Sequence, residues 1–151
     1  MRRSIAFVSL LTLSLAACGN PDTPAGRAAD ERHENFEAIG DAMKAAGDQL
    51  KETAPDIAKI QAAAATINGF APKVSGWFPA GSGPADGIKT DALQAIWEKP
   101  EEFKAATDKF AAEAAKFQTL AQAGDVAAIG AGMKELGGSC KNCHDKFKAK
   151  D

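Results

Sequence analysis

Three cysteines and two histidines are the whole stock of thiol and imidazole groups in the 151 residues. Two of the cysteines and one histidine fall together, in Cys140-Lys141-Asn142-Cys143-His144. On a helix, positions i and i+3 share one face about one turn apart. Two thiols so placed can add across the two vinyl groups of one flat macrocycle, and the next residue can bring its imidazole under the metal. That is the pattern of c-type haem attachment. It calls for one covalent haem c, with Cys140 and Cys143 as attachment points and His144 as iron ligand. Competing chemistries fit less well. A structural zinc site wants four ligands, and His33 is the one further His or Cys in the folded domain. A thioredoxin-like dithiol opens a helix in a βαβ setting, whereas this motif closes a terminal one. A plain disulfide has no use for His144. Gly137 and Gly138 stand just before the motif; each costs about 1 kcal/mol against Ala inside a helix. A macrocycle lying close to the backbone accounts for that cost.

The third cysteine belongs to a different chemistry. Arg2 and Arg3 precede an apolar run, Ile5 to Leu15, and then Leu15-Ala16-Ala17-Cys18. The run is too short for a stable bilayer span. The pattern resembles a lipoprotein signal peptide over 1–17, with Cys18 lipidated as the new first residue. Gly19 in place of an acidic residue favours the outer membrane, so the expected location is the periplasm, lipid-anchored. Residues 18–29 read as a flexible tether, with two prolines, two glycines after Cys18 and no large apolar side chain. The folded domain is expected over 30–151.

Four stretches then carry apolar stripes at steps of three and four, the period of a helix face. They are Phe36-Ile39-Met43-Ala46-Leu50, Ile57-Ile60-Ala64-Ile67-Ala71-Val74, Phe103-Ala106-Phe110-Glu113-Phe117-Leu120 and Val126-Ile129-Met133-Leu136-Cys140-Cys143-Phe147. No stretch alternates with period two. Pro55 and Asp56 open the second helix, Pro72 ends or kinks it, Pro100 opens the third, Gly124 ends that one and Asp125 caps the fourth. Short links join one to two and three to four. A long Gly- and Pro-rich connection, 76–97, holds both tryptophans, Trp77 and Trp97, which should pin it to the bundle. The stripes can be buried only against one another. The expected fold is all-α, an up-down-up-down four-helix bundle with covalently attached haem. Composition agrees: 45% hydrophobic, no Tyr, and 18 basic against 20 acidic residues for a net charge of −2. That balance leaves no basic excess to neutralise phosphates and excludes nucleic acid as a partner.

A haem motif at the end of a four-helix bundle resembles the cytochrome c′ family. The resemblance runs over about 30–150 and rests on Arg32-x-x-x-Phe36, Ile96-Trp97 with Phe103, and Gly137 to Asp145. It implies that Arg32 pairs with a haem propionate. It also implies that the residue four after that arginine covers the distal face of the iron. Low-spin members have Met there; this chain has Phe36, which has no lone pair. The implied iron is five-coordinate and high-spin, open to small neutral gases, NO and CO. Lys148, four after His144, stands where the family often has Arg. The resemblance further implies electron transfer with a periplasmic redox partner, and a homodimer through helices one and two. The alternative is a six-coordinate low-spin carrier with Met43 or His33 on the iron. Met43 lies seven residues past Phe36, about 10.5 Å along the helix. Nothing in the sequence supplies the distal acid–base pair that oxygen–oxygen cleavage needs, so an enzyme is not expected.

Overall fold

The computed structural model describes residues 20–150. Cys18 and the signal-peptide stretch 1–17 lie outside the described residues. Five helices form: α1 Pro24–Gln49, α2 Ile57–Phe70, a short α3 Ala95–Glu98, α4 Pro100–Ala123 and α5 Val126–Phe147. Their ends follow local chemistry. The Asp56 carboxylate accepts from Lys59 N–H at 3.3 Å, and Asp125 accepts from Ala128 N–H at 2.8 Å. Such caps are worth about 1 kcal/mol each. Gly124 closes α4 at φ 78°, in the left-handed region that favours glycine. Pro72 stops α2 at Phe70, and the chain continues as a 3-10 helix over Ala71–Trp77.

The long helices run up and down in chain order. α1 packs along α2, α2 along α4 and α4 along α5. The fourth seam, α5 against α1, is the loosest; the two approach where a Cβ on Gly47 would lie 3.6 Å from Met133 Cε. The core holds Ala46, Ile60, Ala64, Ile67, Ala114, Phe117, Ala121, Ile129 and Leu136, all sealed from water. Burying one such Leu, Ile or Phe is worth about 1.5–3 kcal/mol. Alanine at four of these positions lets backbones approach closely. Gly132 does the same for α5: a Cβ there would fall 2.5 Å from Leu120 Cδ1. Among the described residues no helix is long and apolar enough to cross a membrane.

Two expectations need correction. The tether reading of residues 18–29 fails from Pro24 onward. Thr23 accepts from Gly26 N–H at 3.0 Å and Pro24 takes the first turn of α1. The Thr-Pro pair is a helix-start signal that composition alone reads as linker. Ala29 is buried, and Gly26 fits because a Cβ there would lie 2.0 Å from the Pro21 carbonyl oxygen. The folded domain therefore begins before Asp30. Val126 is the second: it stands 41% exposed at the start of α5, where Asp125 and Ala127 are exposed as well. The 76–97 connection is also more ordered than a loop, with α3 and a 3-10 turn at Pro84–Asp86 inside it.

Candidate functional site

At the end of the bundle away from Gly124, α1 starts, the connection crosses and α5 stops. The last turns of α5 carry Cys140, Cys143 and His144. Both cysteines are free thiols and half-buried. Cys140 packs against the main core, as Phe36, Trp77 and Phe78 each do. Cys143 packs against a second cluster of Ile96, Phe103 and Phe147. Burial pushes the Cys143 thiol up to about 11, and Cys140 adds to the shift. Burial likewise raises Cys140, with hydrogen bonding at Ser139 and its own backbone pulling back. Both sulfurs therefore stay S–H at neutral pH. His144 faces water on one side. Burial of the other side, then Lys148, lower its pKa, while Asp145 opposes them. The lowered pKa favours the neutral imidazole, which has a lone pair for a metal.

The walls of the site are aromatic. Phe36 meets Trp77 edge-on, ring centroids 5.2 Å apart at 88°, and leans on Phe78 at 6.3 Å. Phe78 stacks edge-on against Phe103 at 4.8 Å, and Phe103 against Phe147 at 5.2 Å. Trp97 joins at 6.0 Å from Phe78 and donates Nε1–H to the Pro79 carbonyl at 3.1 Å. Edge-on contacts between rings add about 0.5–1.5 kcal/mol each beyond area burial. Both tryptophans thus pin the connection, as their positions suggested.

Arg32 is 3% exposed. It donates to Ser82 Oγ, the Ser82 carbonyl and Thr90 Oγ1, each at 2.8 Å. Its guanidinium carbon lies 4.9 Å from the centre of the Phe78 ring and 5.8 Å from that of Trp97. Every hydrogen-bond acceptor it has among the described residues is neutral. Burial lowers its pKa from the ordinary value, and Asp30 restores part through space. A cavity of about 230 Å³ is lined in part by Arg32, Gly76 and Trp77. Another of about 350 Å³ is lined in part by Phe78, Trp97 and Phe103. Neither is lined by Cys140, Cys143 or His144.

Of the weighed distal alternatives, His33 is 70% exposed and sits 3.4 Å from Glu37 on the outer face of α1. Met43 is packed on the main core. Among the described residues, no three His, Cys, Asp or Glu side chains gather as a metal cluster would require.

The family model for cytochrome c′ matches residues 27–148, more than half of the chain. The chain belongs to the cytochrome c′ family. Its cofactor is the family's single covalent haem c. The cytochrome c′ of Rubrivivax gelatinosus is 49% identical over 70 residues, 46% of this chain and 54% of that protein. The chain thus spans about half the length of that sequence relative. Solved structures extend the likeness. The crystal structure from the same organism superposes with a TM-score of 0.75 at 34% identity, over 82% of this chain and 96% of that one. A nitric oxide complex of the L16A variant of cytochrome c′ from Alcaligenes xylosoxidans gives a TM-score of 0.75 at 25% identity, over 84% and 97%.

The residues present fit a haem. Two thiols stand one turn apart on the helix that borders the loosest seam of the bundle. A Cβ on Gly137 or Gly138 would meet nothing within 4 Å, so no part of the chain itself explains two helix-weakening glycines in that turn. A buried cation has only neutral hydrogen-bond partners. Sequence reasoning missed four of the wall and clamp residues: Trp77 and Phe78 as neighbours of Phe36, and Ser82 and Thr90 as partners of Arg32. Trp77-Phe78 ahead of Pro79 was a readable signal, since two large rings in a Gly-rich connection must find cover. Ser82 and Thr90 lie 50 and 58 residues from Arg32 and carry no local mark.

Proposed function

We propose that this chain is a periplasmic, lipid-anchored c-type cytochrome that binds small neutral gases and passes single electrons. Cys140 and Cys143 hold the haem through thioethers, and His144 is the protein ligand to iron. Phe36 covers the sixth position without filling it, which makes the iron five-coordinate and high-spin. Arg32 pairs with a propionate. When bound, the haem supplies reversible one-electron chemistry and an affinity for NO and CO. The chain supplies the rest. Phe36, backed edge-on by Trp77, excludes water and anions from the distal side, so uncharged diatomics are favoured over charged ligands. Arg32, held by three hydrogen bonds, presents a fixed positive charge to an acid group. Cys18 carries the lipid that keeps the protein at the membrane.

The observation that carries this reading is the Cys140–His144 turn at the end of α5 together with Phe36 of α1 packed among Trp77 and Phe78. Phenyl rather than a lone-pair donor stands there. The low-spin alternative draws no support from His33, which is turned to solvent beside Glu37. It draws none from Met43 either, about two turns further along α1. The deciding experiment is the optical spectrum of the purified protein oxidised, reduced, and reduced under CO. High-spin spectra with CO bound on reduction are expected. A six-coordinate low-spin reduced form that refuses CO would replace this reading with the electron carrier.

A further inference from the structure

Asn20 stands two positions after Cys18 and is fastened to the fold. Its Oδ1 accepts from Lys89 N–H at 2.7 Å, and its Nδ2 donates to the Lys89 carbonyl at 3.1 Å and to Asp30 Oδ1 at 2.7 Å. One side chain thus takes both main-chain groups of Lys89, as a strand partner would. The same run of chain is laced to the haem helix. The Asp91 carbonyl accepts from Ala149 N–H at 2.7 Å, and Leu93 N–H donates to the Phe147 carbonyl at 2.9 Å. Lys148 Nζ lies 3.7 Å from Asp91. Leu93 is one of two exposed large hydrophobics among the described residues.

Two residues of chain reach at most about 7 Å. α4 alone is about 36 Å long, so such a lead holds one end of the bundle close and leaves the other free. We propose that the end bearing Asn20, Lys89 and Leu93 is a membrane-docking face, held against the bilayer headgroups by the acyl chains on Cys18. This rests on the lipid-anchor reading above. It puts the Cys140–His144 turn at the lipid surface, while Gly124 and the far loops stand off. The haem is then presented to redox partners and gases in or on the membrane rather than to soluble partners at large. A lead that floated freely up to Asp30 would leave the bundle to tumble.

The test uses the full-length, acylated holoprotein in phosphatidylcholine vesicles carrying a trace of headgroup-labelled fluorescent lipid, which haem quenches at short range. Acylation is checked by mass spectrometry. A Gly-Ser insertion of about twelve residues between Gly19 and Asn20 adds a mean reach of roughly 20 Å and should cut quenching at least about twofold. Asn20→Ala, which frees the lead up to Thr23, should cut it by less. Acylated protein whose quenching is the same in all three forms overturns the docking face and leaves the anchor standing. A mature chain without acyl groups removes both.

Discussion

The two ends of the bundle are built from different materials. Toward Gly124 the core is mostly small and aliphatic around one phenyl ring: Ala46, Ile60, Ala121 and Ile129 are buried with Phe117 and admit no water. Toward the chain termini it turns aromatic and partly open, with Phe36, Trp77, Phe78, Trp97, two half-buried thiols and one buried cation. The first end is complete on its own chain. The second consists of rings at right angles, glycines with nothing against them and a charge with neutral acceptors. Helix packing that needs nothing else and a wall made to face a flat partner leave distinct marks in one fold.

The sharpest way to break that contrast is to remove the attachment chemistry. Cys140→Ser with Cys143→Ser should abolish haem that survives acid–acetone extraction, from full occupancy to none, while the apoprotein stays helical by circular dichroism. Retained covalent haem would end the assignment. Phe117→Ala addresses the other end. It empties a sealed core position and should cost about 3–5 kcal/mol, read as a lowered denaturant midpoint with an unchanged visible spectrum in the folded protein.

Much of this was legible in the sequence, for reasons that differ by residue. Ile60, Ala64 and Ile67 announce their face because burial repeats with the helix period. Asp125, Gly124 and Pro72 act within a turn of themselves, so their consequences are local and readable. Residues 24–29 misled because Pro and Gly serve both linkers and helix starts, and only the Thr23 cap distinguishes them. Arg32 was legible as a candidate but not as a clamp. Its partners come from a connection whose path is set by tertiary packing of Trp77 and Trp97, not by any periodicity.

Finer substitutions sharpen the comparison. Phe36→Ala should speed or tighten CO and NO binding, by about tenfold for each 1.4 kcal/mol of steric cost relieved. Phe36→Met should move the iron toward low spin and raise the potential. Stopped-flow CO binding and reduced-state spectra separate these from a site already filled by Met43 or His33, where neither substitution would matter. Arg32→Gln removes a buried positive charge and should lower the reduction potential, since the oxidised haem bears one more positive charge; it should also cost about 1–3 kcal/mol of stability through the broken bonds to Ser82 and Thr90. Potentiometric titration and denaturant melts read the two effects. The smallest effect belongs to the closed end. Hydrogen bonds from Lys44 and Lys51 hold the Asp48 carboxyl at about 2. Its contribution is present above the ordinary carboxylate range and is lost as pH falls toward 2. Asp48→Asn should slightly flatten the acid-unfolding curve in that window and leave neutral-pH stability nearly unchanged, because the group is exposed.

One antiparallel bridge, Ala92 with Lys148, ties the tail of α5 to the connection. The amide protons of Leu93 and Ala149 are donated across that bridge region, close to the chain's end, where helix termini ordinarily fray. Their hydrogen-exchange rates therefore measure how often the aromatic end of the bundle opens as a unit. If that end is a separate foldon, these two amides should exchange together, faster than those around Ile60 and slower than the tip at Lys150. Ligands that seat against the aromatic wall should slow both by the same factor.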